Sequence, residues 1–427
     1  MTTKPHLIDD CFLHDKDRLR HDDVISLLLS RLNVIVGTQE VALHSALGRH
    51  LADTITAPRN VPLHDNSAVD GYAFVHGEYL QKPALAINQR IAAGDAIPGN
   101  LPSGTAARIF TGAMMPPNAD TVAMQEDCVL SQDGLSVEIP EGLRAGANRR
   151  KAGEDLKTGE VVFSTGQLLR PQDVAALASV GVARVPVFRK LRVALVSTGN
   201  EIVRPDAADA LSMGQVFDSN HYMLAALCQN LPVELVDLGV LEDKAAVIEQ
   251  RLSKAAKEND IILTTGGASR GEEDHIVRTI DRLGTRHLWQ IAIKPGRPMS
   301  FGQIGDCVFL GLPGNPVAAF ICFLLYCHPA IRMLAGGTYR EPRRYPINAG
   351  FQIEAKKADR REFLRGWLER DVDGQMVARK FDRDGSGLIS GLRMADGLIE
   401  LQEEIRTVRP GDTISYIPFS EFGIYAS

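Results

Sequence analysis

Apolar residues recur along this chain with two different periods, and the places where the period changes divide it. HDDVISLLLSRL, residues 21–32, has apolar positions at helical spacing behind an acidic first turn, which predicts an amphipathic helix. VALHSALGRHLADTI, residues 41–55, predicts a second helix on the same spacing. From 59 to 146 the texture changes to short runs such as GYAFV, ALAINQRI, AARIFTG, TVAMQE and LSVEIP, separated by Gly, Pro, Asn and Asp. That predicts a small β-rich insert. PQDVAALASVG, residues 171–181, returns to helical spacing. It is expected to pack back on the first helices, which makes the first domain discontinuous.

Between 191 and 336 the two periods alternate. LRVALVST, VELVDLGVL and DIILTTGG read as strands; NHYMLAALCQNL, DKAAVIEQRLSKAAKEN and EEDHIVRTIDRLG read as helices after them. Two further strands and FLGLPG lead into a long apolar helix from residue 315. Such alternation predicts a parallel sheet covered on both faces, with its strand-to-helix loops along one edge. The remainder lacks long helical periodicity and predicts a small β barrel. The fold class is therefore α/β multidomain. Its parts are a discontinuous N-terminal domain (1–58 and 144–188), the β-rich insert (59–143), a central parallel α/β domain (189–337) and a C-terminal β-barrel domain (338–427).

Composition narrows the class of function. The chain has 427 residues, 44% hydrophobic and 23% charged, enough for sizeable cores. Its net charge of -6 argues against coating nucleic acid, which needs a basic excess, and leaves room for a local basic pocket. No run of about 18 apolar residues is evident, so no membrane span is expected. The polar, acidic start lacks the basic and apolar regions of a secretory signal, so the compartment expected is the cytoplasm. Six cysteines without a CxxC pair predict no disulfide framework. Cys322, Cys327 and His328 fall in a helical apolar run and read as core residues rather than a zinc site.

Three loops at the carboxyl edge of the α/β sheet carry candidate chemistry. They are Ser197-Thr198-Gly199-Asn200-Glu201, Thr264-Thr265-Gly266-Gly267-Ala268-Ser269-Arg270-Gly271 and Gly311-Leu312-Pro313-Gly314-Asn315-Pro316. Glycines there let backbone N–H groups approach an anion, and the following helix N-termini add positive potential. Short strand-to-helix loops use glycine for their own geometry as well. Glu201, Asp243 and Asp274 accompany the loops, as expected if Mg²⁺ bridges carboxylates to a phosphate. Asp243 and Asp274 could equally serve only as helix caps. Gly267-Ala268-Ser269-Arg270-Gly271 also matches the G-x-S-x-G of a hydrolase elbow, but no histidine follows in the required setting.

Taken in order, these segments resemble the molybdopterin molybdenumtransferase family, which includes the C-terminal domain of gephyrin. The carriers are HDNSAVDGYA, RIFTGAMMPPNADTVAMQED, KAGED, RVALVSTGNEI, GQVFDSN, TTGGASRGEEDH, IAIKPGRPMSFG and GLPGNPVAA. The resemblance implies a homodimer with a composite site. It implies Mg²⁺-dependent insertion of molybdate into adenylylated molybdopterin, with release of AMP. It also implies a catalytic set of Asp70, Thr111, Asp155, Glu201, Asp243 and Asp274, with Glu201 and Asp274 on the metal. Substrate would meet Ser197, Thr198, Gly199, Gly266, Gly267, Ser269, Lys294, Arg297, Pro313, Gly314, Asn315 and Pro316. Arg361, Arg365 and Ser386 match more loosely. A binding module without turnover and an esterase using Ser269 are the alternatives.

Overall fold

The computed structural model describes residues 18–208, 210–266, 275–383 and 385–425. Gly267, Ser269 and Asp274 lie outside them.

The α/β sheet runs in the order 233–241, 191–198, 261–265, 307–312, 298–304, 285–290. The first four strands are parallel. Leu191–Thr198, Ile261–Thr265 and Cys307–Leu312 are almost entirely buried, as strands covered on both faces must be. Successive residues face opposite ways. Val193 and Leu195 pack with Leu224 and Leu227 of one helix layer, and Ala194 and Val196 with Ile248, Leu252, Ile276 and Ile280 of the other. The last two strands, Pro298–Ile304 and Thr285–Gln290, are antiparallel additions to the expected parallel sheet. The cause is local: Ile304 pairs with Cys307 across the two residues Gly305 and Asp306. Two residues make a hairpin, whereas a parallel crossover needs a dozen or more.

Residues 41–55 do not form the expected helix. Thr38–Ala42 is a strand paired with Arg184–Phe188, and only Leu43–Ser45 makes a helical turn. Gly48 at φ 72° ends the turn. Ala46 and Leu51 instead fill a core with Leu169, Leu177, Val185 and Val187, so tertiary pairing overrides the local period. The helix Pro171–Ser179 packs beside the 43–45 turn. The helix His21–Arg31 does not join it; Val24 and Leu28 enter the core of the α/β domain.

The insert folds as a six-stranded sheet with apolar clusters on both faces, one around Ile109 and Val122 and one around Phe74 and Val137. In the C-terminal part, Arg361–Arg370 bonds both Met376–Lys380 and Gly397–Leu401, which closes a five-stranded barrel. Pro316–Leu334 forms one 19-residue helix with mean hydropathy 1.8, long and apolar enough to cross a membrane, and 78% of it is buried inside the protein. This corrects the expectation that no such segment exists. Cys322 and Cys327 are buried within it.

A short strand joins α/β domain to barrel. Ile293–Lys294 runs parallel to the start of the barrel strand, with Ile293 against Arg361 and Lys294 against Glu362. Beside it, Arg361 donates to both carboxylate oxygens of Asp22 at 3.0 and 2.9 Å. It also donates to Glu400 at 3.1 Å and Glu403 at 3.1 Å. Arg344 holds the other oxygen of Glu400. The network therefore ties the first helix to the barrel.

Two outcomes follow from this packing. Arg361→Ala leaves buried Glu403 without its cation and should cost about 3 kcal/mol or more in urea unfolding. A loss below about 0.5 kcal/mol would contradict that role. Secondly, burial lowers the imidazole pKa of His21 to about 3, His50 to about 4 and His328 to about 3. Unfolded histidines protonate near pH 6.5. Folded pKa values are thus depressed, so the stability they confer is complete above about pH 6.5 and is lost as pH falls toward 4. The urea midpoint should drop steeply over that range; a flat profile would be the contrary result.

Candidate functional site

A cavity of about 620 Å³ lies at the carboxyl edge of the α/β sheet against the barrel. The strand register brings its loops together: Ser197 pairs with Thr265, and Thr265 with Leu312, so three strands end level. Gly266 donates its N–H to the Leu312 carbonyl at 3.0 Å. A Cβ on Gly266 would stand 3.4 Å from Thr198 Oγ1. The barrel reaches the same edge through the Ser386 carbonyl, which accepts the Val317 N–H at 3.0 Å at the start of the long helix.

Gly266, Lys294, Arg297, Pro313, Gly314, Asn315, Arg365 and Ser386 all line this cavity. Arg360 and Lys380 of the barrel, which the sequence reading missed, line it too. Among the described residues, its charged lining consists of Lys294, Arg297, Arg360, Arg365 and Lys380, all cationic. Lys294 Nζ stands 3.8 Å from Glu362, which also binds Arg360 at 2.8 Å. Gly296, at φ 102°, packs so closely on Cys322 that a side chain there would collide with the sulfur. That contact seats the Lys294–Arg297 turn on the long helix. Arg365 donates to the carbonyls of Leu388 and Arg383 at 2.9 and 3.0 Å and stacks over Phe381. It shapes the loop that carries Ser386.

Other expected residues lie elsewhere. Arg361 is 7% exposed, is held by three carboxylates and does not line the cavity. A guanidinium so placed serves the fold, which corrects its assignment to substrate. Ser197 is buried with an unpartnered Oγ. Pro316 opens the long helix. The carboxylate of Glu201 folds back over Gly199, whose φ of 131° favours glycine. Asn200 Oδ1 accepts the Asp243 N–H at 3.3 Å, which draws the Glu201 and Asp243 loops together.

Asp70 and Thr111 form a separate centre in the insert. The Thr111 N–H and hydroxyl donate to Asp70 Oδ1 at 2.8 and 2.7 Å. Those two bonds, the backbone one first, hold the Asp70 carboxyl below its ordinary pKa. Asp155 sits in a turn where its N–H binds the Val61 carbonyl at 3.0 Å. No insert residue lines the large cavity within this chain.

Asn220 also escaped the sequence reading, although it ends the GQVFDSN segment. It is 7% exposed, and its Nδ2 donates to Thr265 Oγ1 at 3.2 Å and the Gly314 carbonyl at 2.7 Å. One amide thus clamps two of the three loops. Arg360 and Lys380 gave no periodic signal, because a cation on a barrel strand is ordinarily a solvated one.

Family models cover most of the chain. "MoeA N-terminal region (domain I and II)" matches residues 19–181, "Probable molybdopterin binding domain" 194–333 and "MoeA C-terminal region (domain IV)" 352–419. A molybdopterin molybdenumtransferase of Haemophilus influenzae is 35% identical over 400 residues, 93% of this chain and 98% of the relative. One from Nostoc sp. is 35% identical over 323 residues, 74% of this chain and 73% of the relative. The molybdopterin biosynthesis moeA protein of Pyrococcus horikoshii matches with a TM-score of 0.80 and 29% identity, covering 94% of this chain and all of that one.

The clamp can be tested directly. Asn220→Ala removes both bonds and should lower stability by about 1–3 kcal/mol in urea unfolding. Asn220→Asp, which turns an acceptor toward the Gly314 carbonyl, should cost at least as much. Two variants within about 0.5 kcal/mol of the parent would show that the loops stand without it.

Proposed function

Because the chain belongs to the molybdopterin molybdenumtransferase family, we propose that it inserts molybdate into adenylylated molybdopterin and releases AMP. The observation that carries this reading is the cavity lined by Lys294, Arg297, Arg360, Arg365 and Lys380, with no acid among the described lining residues, set at the edge where α/β sheets bind ligands. Lys294 and Arg297 are placed to receive molybdate or phosphate oxygens. Gly266 and the Pro313–Asn315 loop offer a close backbone approach to the nucleotide part, and Ser386 offers a hydroxyl from the barrel side.

The Glu201 and Asp243 loops fit a hard divalent cation. Mg²⁺ takes one or two carboxylates and completes its shell with water and phosphate oxygens, so it needs no cluster of three acids. None exists among the described residues. Bound there, Mg²⁺ would neutralise charge on the leaving phosphate. Glu201 would hold it and Asp243 would orient its water, with Asp274 a further ligand on the resemblance alone.

Asp70 and Thr111 enter through a second subunit. Their centre lies outside this chain's cavity, yet Asp70 is ionised and held in one orientation by Thr111. A homodimer with a composite site gives that carboxylate a substrate. Two-fold pairing is the commonest way to supply such a partner.

The first test is molybdate-dependent AMP release with Mg²⁺ present; intact adenylylated molybdopterin after incubation would indicate binding without turnover. Lys294→Ala should weaken molybdate or phosphate binding roughly ten- to hundredfold, as loss of a charge-assisted bond worth about 1.5–3 kcal/mol does. Its melting temperature should hold, since Glu362 keeps Arg360. A large loss of stability with unchanged binding would assign Lys294 to the fold. Inactive Asp70→Ala and Glu201→Ala subunits should regain activity when mixed. Failure of every mixture, with each variant folded and dimeric, would place both residues in one subunit's site or outside catalysis.

A further inference from the structure

A separate cavity of about 160 Å³ lies between the helix His21–Arg31, the end of the long apolar helix, the 339–344 segment and residues 420–422. None of its lining residues lines the larger cavity. Its walls contain two polar side chains without a side-chain hydrogen-bond partner among the described residues. His328 is 9% exposed; its backbone N–H binds the Phe323 carbonyl, and its ring meets Phe422 edge-on. Arg332 follows four positions later on the same helical face. Its Nε is sealed from solvent without a partner, and its guanidinium makes no ion pair among the described residues.

The neighbouring charges do not offset Arg332. Arg340 lines the same cavity and is a second cation. The lining carboxylate, Glu421, accepts the Arg343 N–H at 3.2 Å and pairs with neither Arg332 nor Arg340. Arg344 is already committed to Glu400 and Glu341. A helix C-terminus favours a nearby cation. Here, however, the carbonyls of Ile331, Arg332 and Met333 already accept N–H groups of Ala335, Gly337 and Gly336. Arg332 is half-buried, with its Nε sealed and unpartnered, and a cation so placed beside a second cation favours an anionic partner.

We propose that this cavity binds a small oxyanion of the phosphate type, held by Arg332 and Arg340 with an N–H donated by neutral His328. Burial keeps that imidazole uncharged at neutral pH, so it contributes one donor. Ile25, Leu325 and Phe422 form apolar walls beside the charges. An anion there would join the first helix, the long helix and the segment leading into the barrel. Its effect would be on the cohesion of those parts, away from the reaction cavity.

The probe is inorganic phosphate, read by thermal unfolding and by calorimetric titration. In the parent, about 10 mM phosphate should raise the melting temperature by several degrees relative to sodium chloride of equal ionic strength. Lys294→Ala weakens the phosphate contact in the large cavity, and the shift that remains in it reports the smaller cavity. Adding Arg332→Met to Lys294→Ala should abolish that remaining shift. If Arg332→Met fails to fold, exposed Arg340→Gln provides the reading, with phosphate affinity reduced about tenfold. The proposal is overturned by a shift equal to that of sodium chloride, by a shift in the Lys294→Ala background that survives Arg332→Met or is unchanged by Arg340→Gln, or by one that Lys294→Ala alone abolishes.

Discussion

The pairing of Ile293–Lys294 with the first residues of the barrel strand is the contact on which the site depends. It is two residues long, and by itself two residues of ladder would not hold two domains. Arg361, next to it in register, supplies what the ladder lacks by binding Asp22, Glu400 and Glu403. Breaking such a buried network leaves charges stranded, so the joint is specific as well as strong. Because the joint is fixed, Lys294 from the α/β domain and Arg360 from the barrel meet across one carboxylate, Glu362. The cavity is the space this geometry leaves between the two domains.

Charge and shape in that cavity have different origins. The sheet sets the shape: three strands end level, and Asn220 fastens two of their loops. The barrel and the Lys294–Arg297 turn supply the charge. A chain of net charge -6 thereby acquires a pocket whose charged lining, among the described residues, is all cations. An oxyanion is attracted to that pocket. Glu201, exposed, and Asp243, half-buried, are not among the lining residues.

Much of this was legible in the sequence where periodicity and loop chemistry agreed. Val233–Leu241 and the helix Pro171–Ser179 follow from their patterns. Residues 41–55 misled because Val41, Leu43, Ala46 and Leu51 keep helical spacing while their partners lie far along the chain, at 169–187. Local spacing contains no record of that pairing. Arg361 misled for a related reason. As sequence it is one more arginine near a family motif, and its three carboxylates come from residues 22, 400 and 403. Asn220 was passed over because its effect depends on two loops that only the folded sheet brings to it. The loops themselves, Lys294 and Ser386 were readable, since strand-end glycines and a lysine at the end of an apolar strand already limit what those positions can do.

The central claim is that the seam between α/β domain and barrel is where the oxyanion substrate binds. X-ray diffraction at the molybdenum edge from crystals soaked in molybdate locates that ion without reference to activity. The account predicts an anomalous peak within hydrogen-bonding reach of Lys294 or Arg297, in the cavity that also contains Ser386. Well-ordered molybdate found only outside that cavity would contradict it.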